Sequence, residues 1–100
     1  MIKHVVFIKI KGAASDDEKL QDLKKLKEAL DALAAQISQI KKFEVGINVS
    51  DSSSAYDLAL IGEFDSKDDL ETYRVHPEHK KVLDLISSIK GRTAVVDYEF

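Results

Sequence analysis

The chain has no cysteine and no tryptophan, one proline, and four glycines in 100 residues. Without cysteine there can be no disulfide, no thiolate nucleophile and no Cys-based zinc or iron–sulfur site. A thiol-free chain fits a reducing cytoplasm, and that is the expected location. No apolar run approaches the ~18 residues of a membrane-spanning helix. The opening Met1–Lys11 does not read as a secretory leader, because Lys3, His4, Lys9 and Lys11 interrupt it and no small-residue cleavage site follows. Charge of one sign is also missing. Fifteen basic and eighteen acidic residues interleave to a net charge of -3, which excludes the basic footprint of a nucleic-acid binder. There is no Gly-rich phosphate loop, and the Ser-rich stretch 50–54 has neither a G-x-S-x-G elbow nor a nearby base.

What is present is strong periodicity. Residues 4–11 are rich in Val, Ile and Phe and predict a strand with His4, Val6, Ile8 and Ile10 on one face and Val5, Phe7, Lys9 and Lys11 on the other. Gly12-Ala-Ala-Ser15 reads as a turn into a helix, with Ser15 and Glu18 as a capping box. Leu20, Leu23, Leu26, Leu30, Leu33, Ile37 and Ile40 then predict an amphipathic helix over about 16–41. Phe43, Val45, Ile47 and Val49 alternate with polar residues as a second strand. Tyr56 to Phe64 forms a third, with Tyr56, Leu58, Leu60 and Phe64 sharing a side. The connection between these strands predicts an antiparallel hairpin. Gly46 and Gly62 mark bulges or close backbone approaches.

Ser66 caps a short helix through about Tyr73, and Pro77 opens another, since proline fits a first helical turn. Gly91 is placed to end it. Residues 92–100 are the last strand. The order β-α-β-β-α-β is that of a single α+β domain spanning 1–100, a ferredoxin-like four-stranded antiparallel sheet with helices on one face. The first and last strands carry apolar residues on both sides: Val5 and Phe7 against Val6 and Ile8, and Val96, Tyr98 and Phe100 against Val95. An open face of that kind predicts a two-fold homodimer packed sheet against sheet.

The segment Tyr73-Arg-Val-His-Pro-Glu-His79 and the ending Val95-Val-Asp-Tyr-Glu-Phe100 bring together the chemistry-bearing side chains. His79 falls in the first turn of a helix, where the helix dipole and partial burial both disfavour a charged imidazole and leave a base. Asp97, a lone carboxylate among apolar strand residues, needs a partner. It is expected to hydrogen-bond one ring nitrogen of His79 and fix its tautomer. Tyr73 is placed to polarise a carbonyl oxygen, and His4 to line the opposite wall. Each also has a plain structural use: His79 as a partly buried polar group, Tyr73 as an aromatic closing its helix, Asp97 as an exposed edge residue. His76 precedes Pro77 and belongs to the turn. A metal held by His76 and His79 is disfavoured, because Pro77 keeps the two off a common helix face.

Ile2-Lys-His-Val-Val-Phe-Ile-Lys, Phe43-Glu-Val-Gly, Tyr73-x-x-His-Pro-x-His79 and Val95-Val-Asp-Tyr98 resemble the stress-responsive α/β-barrel (Dabb) family, in the family's order and over nearly the whole chain. The resemblance implies a dimeric α+β barrel. It is similar to a plant member that performs an aldol-type cyclisation of a polyketide, whose tyrosine, histidine, aspartate and first-strand histidine match Tyr73, His79, Asp97 and His4. The first helix here has no aromatic residue, so a pocket bounded by Leu23, Leu26 and Leu30 is expected to be small or differently shaped. The expected protein is a homodimer binding a small, partly apolar carbonyl or phenolic compound. Any chemistry would be cofactor-free acid–base catalysis of cyclase, lyase or isomerase type, with His79, Tyr73 and Asp97 catalytic and His4 binding substrate. A ligand-binding or stress-protective dimer without chemistry and a cofactor-free monooxygenase are the alternatives.

Overall fold

The structure, a computed structural model, describes residues 1–11 and 13–100. Gly12, read above as the start of a turn, lies outside the described residues. Among those described, the elements are β1 (Ile2–Ile10), α1 (Asp16–Gln36), β2 (Lys42–Ile47), β3 (Leu58–Phe64), α2 (Lys67–Arg74), α3 (Pro77–Ser88) and β4 (Gly91–Glu99). The strands form one antiparallel sheet in the order β2-β3-β1-β4, the ferredoxin-like arrangement.

Residues paired across antiparallel strands share a face. In the β1–β4 register, His4 faces Asp97, Val6 faces Val95 and Ile8 faces Thr93. These point to the helices, together with Leu58, Leu60 and Phe64 of β3. The opposite face presents Val5, Phe7, Ala59, Ile61, Ala94 and Val96 as a continuous apolar band. Phe7 and Val96 are 44% and 62% exposed, so none of the described helices covers this side.

Helix α1 starts as its capping residues dictate. The Glu18 N–H donates to Ser15 Oγ at 3.1 Å, and Glu18 Oε2 accepts from the Ala14 N–H at 3.1 Å. Leu23, Leu26, Leu30 and Leu33 are buried against the sheet. Each such leucine contributes about 1.5–3 kcal/mol of transfer free energy. The helix ends at Gln36 and not near 41. Ile37 is extended, and its N–H closes the last turn on the Leu33 carbonyl. Ile37 and Ile40 still pack on the core, so the apolar spacing runs on after the helix has stopped. At the other end Leu20 is exposed, and the buried stripe starts at Leu23.

Three further local expectations are corrected. The β2–β3 connection spans 48–57, and Tyr56 precedes β3; its ring lies 6.0 Å from Phe7, on the opposite face from Leu58 and Leu60. Gly46 sits in regular pairing with Ala59 with nothing near its missing side chain, so it marks neither a bulge nor a close approach. Gly62 does mark one, against the Phe43 and Phe64 rings. Lys90, at φ 56, takes the left-handed position after α3, and Gly91 is the first residue of β4. Gly91 is required for space: a Cβ there would lie 2.7 Å from Ile86 Cγ2 and 3.2 Å from the Ile86 carbonyl.

Candidate active site

The site forms where α2 hands over to α3. Ser66 Oγ caps α2 by accepting from the Asp69 N–H at 3.1 Å. Tyr73 lies in the last turn of α2, 1% exposed, its ring 5.1 Å from Phe64 and 6.1 Å from Phe43. Arg74 turns outward and holds Glu71 through two hydrogen bonds of 2.8 Å. His76 is extended, as a residue before proline must be, and caps α3: its Nδ1 accepts from the Glu78 N–H at 3.1 Å. His76 is thus a structural turn residue, as expected.

The break at Pro77 swings His79 back over the end of α2. There the His79 Nδ1–H donates to the Arg74 carbonyl at 2.9 Å. That carbonyl is one of the unpaired acceptors every helix leaves at its C-terminus. Since a carbonyl can only accept, the bond fixes the proton on Nδ1 and leaves the Nε2 lone pair for a ligand. Burial pushes the His79 imidazole below its usual range and keeps it neutral. The Arg74 carbonyl works in the opposite direction, and the charges of His4, Arg74 and His76 reinforce the downward shift.

Asp97 does not bond His79. Its register partner is His4, and His4 Nδ1–H donates to the Asp97 carboxylate. The correction follows from strand geometry, because paired residues on one face lie closer to each other than to a helix above them. The tautomer of His79 is set by a backbone carbonyl that leaves no side-chain signature in the sequence.

Tyr73 sits between the two imidazoles, its ring centroid 4.4 Å from His79 and 5.7 Å from His4. Its hydroxyl is buried and has no hydrogen-bond partner among the described residues. Burial raises the phenol well above its ordinary value, so it stays protonated and can donate. All four singled-out residues line one cavity of about 240 Å³, walled on its apolar side by Val6, Ile8, Leu30, Leu60, Val82 and Ile86. Of the three leucines expected there, Leu30 alone lines it. The volume falls below the roughly 300–1,000 Å³ that holds a drug-sized ligand. A larger groove of about 510 Å³ crosses the open sheet face between Phe7, Gly46 and Tyr56, but no carboxylate, imidazole or amine lines it. Among the described residues, no group of three or more His, Asp or Glu side chains could hold a metal ion, and no helix is long and apolar enough to cross a membrane.

A ferredoxin-like domain with an imidazole–phenol cavity between its sheet and its helices defines the structural class. The family model described as the stress responsive A/B barrel domain (Dabb) matches residues 2–100, and the chain belongs to that family. An uncharacterized protein of Streptomyces coelicolor is 33% identical over 102 residues, with all of both chains covered. A dimeric protein of unknown function and ferredoxin-like fold from Bacteroides fragilis is 40% identical, with a TM-score of 0.89 over 99% of this chain and 95% of that one. Hydroxynitrile lyase from Passiflora edulis superposes with a TM-score of 0.77 over 97% and 90% of the two chains; at 16% identity the likeness is one of fold.

Proposed function

We propose that the protein is a homodimer whose cavity carries out cofactor-free acid–base chemistry on a small, uncharged carbonyl compound. The observation that carries this reading is the buried Tyr73 hydroxyl, without a partner among the described residues, on a ring packed against two imidazoles. An unsatisfied buried donor costs about 1–3 kcal/mol, a cost that a ligand acceptor would relieve. In this reading Tyr73 donates to the carbonyl oxygen and stabilises the enolate, and His79 Nε2 removes the neighbouring C–H proton. His4 lines the facing wall, and Asp97 acts through His4. The ligand is uncharged because the Arg74 guanidinium lining the cavity is already paired with Glu71, and the Asp97 carboxylate with His4.

The dimer reading rests on the apolar band of the open sheet face and on the dimeric Bacteroides relative. Sedimentation showing a monomer at micromolar concentration would remove it. The chemistry is tested with cyclohexanone in D2O, followed by NMR. Wild-type protein should exchange the α-hydrogens faster than buffer, and His79→Gln should lose about 10²–10⁴-fold of that rate. Exchange that survives His79→Gln overturns the assignment. Binding of cyclohexanone without exchange would leave a ligand-binding dimer in place of an enzyme.

A further inference from the structure

The cavity holds two imidazoles with opposite equipment. His79 has its Nδ1–H on a neutral backbone carbonyl, and among the described residues no carboxylate hydrogen-bonds its ring. It is built to take a proton and poorly built to keep one, and a positive charge on His4 strengthens that preference. His4 has its Nδ1–H on Asp97, so a second proton on its Nε2 forms an imidazolium whose charge the carboxylate balances. Both rings line the same cavity, and each packs against the Tyr73 ring. One ring is on a strand and the other on a helix, so they approach a ligand from different walls.

We propose that His4, charge-balanced by Asp97, is a second proton-transfer group facing His79, so that the cavity moves a proton between two carbons of one small β,γ-unsaturated ketone and shifts its double bond into conjugation. The inference rests on the acid–base reading above and extends it to an isomerase. The step balances without a co-reactant. His79 Nε2 takes the proton from the carbon between carbonyl and alkene, and that C–H electron pair forms the new C=C bond. The carbonyl π pair moves to oxygen, held by the Tyr73 O–H. The dienolate then re-forms C=O, and its far carbon takes the proton from His4 Nε2. The substrate gains and loses no atoms. His79 ends protonated and His4 neutral, and the two re-equilibrate through solvent on the side where Asp97 is 40% exposed. Asp97 is a positioning residue here, since it touches His4 and not the reacting carbons.

The test uses cyclohex-3-enone and cyclohexanone side by side in D2O with the intact protein. Wild type should convert the first to cyclohex-2-enone, with label at the carbon that receives the proton, and should exchange the α-hydrogens of the second. His79→Gln should lower both rates together. His4→Gln should depress the ratio of isomerisation to exchange by about a hundredfold. Asp97→Asn, which preserves size and a hydrogen-bonding group, should depress that ratio in the same direction and covers the case in which His4→Gln does not fold. An unchanged ratio in both variants overturns the proposal and leaves the single-base reading standing. Exchange without isomerisation in wild type does the same. Wild type that processes neither ketone overturns both.

Discussion

Strand β1 meets a carboxylate at each end, and the molecule treats the two differently. Near Ile10, Asp57 is 8% exposed and fully occupied. Its carboxylate accepts from the Ile10 N–H at 2.7 Å and from the Lys19 ammonium at 2.9 Å. Its own N–H donates to the Ile8 carbonyl, and its carbonyl accepts from the Asn48 N–H. Near Ile2, Asp97 has one partner, His4, and borders a cavity. Among the described residues the polar groups around it are left incomplete, with a buried phenol unpartnered and two imidazoles each using only Nδ1. Saturated polar groups fasten a fold. Buried polar groups left short of partners need another explanation, and a ligand supplies one.

The largest expected effect lies at the saturated end. Asp57→Ala strips the Ile10 N–H and Lys19 of their acceptor at once and should cost about 2–4 kcal/mol of stability, read as a drop in the urea midpoint. Cyclohexanone exchange per folded molecule should stay close to wild type. Asp97→Asn should cost less than about 1 kcal/mol, because its carboxylate is partly solvated. Equal losses from the two substitutions would show that Asp97 fastens the fold as Asp57 does. Gly91→Ala belongs to the same packed end, since Gly91 pairs with Ile10. The clash of its new Cβ with Ile86 should cost about 1–3 kcal/mol, and a neutral result would show that the Ile86 turn yields.

Tyr73→Phe probes the cavity end. Deleting an unsatisfied hydroxyl should leave the urea midpoint unchanged or raise stability by up to about 1 kcal/mol, while cyclohexanone exchange falls by about 10²–10³-fold. A loss of stability larger than about 1 kcal/mol would mean the hydroxyl already has a structural partner, and the Tyr73 end would then resemble the Asp57 end.

The two ends also differ in how much the sequence disclosed. The fold was legible because strand alternation and helical leucine spacing report burial directly, and the residues around Pro77 report the helix break. His4, Tyr73, His79 and Asp97 were legible as candidates because each is a polar group in an apolar frame. Their pairing was not. Asp97 belongs to His4 because of a β1–β4 register between residues 93 apart in sequence, and His79 is oriented by a main-chain oxygen. Asp57 was missed although it too is a carboxylate beside an apolar strand, because it follows a Ser-rich loop and looks solvated. The apolar spacing overextends α1, since Ile37 stays buried and Ile40 packs on the core after the backbone leaves the helix. In each failure the side-chain pattern reports burial correctly, while backbone geometry decides the partner.

The smallest effect is a pH dependence that belongs to the cavity end alone. Burial, the largest influence on His79, lowers its folded-state midpoint below the unfolded value of ~6.5. The unfolded chain therefore binds a proton at this site more readily than the folded one. The stability that neutral His79 contributes is complete above about pH 6.5 and is lost as pH falls through the lower folded midpoint. Wild type should accordingly lose more stability than His79→Gln between about pH 7 and 5, measured by urea unfolding at each pH. An NMR titration of the His79 ring should give a midpoint below ~6.5, and cyclohexanone exchange should persist to the same lower pH because the base stays neutral. A midpoint above ~6.5 would reverse the sign. It would show that His79 gains an acidic neighbour in solution, and that the charge-balanced imidazole is not confined to the His4 wall.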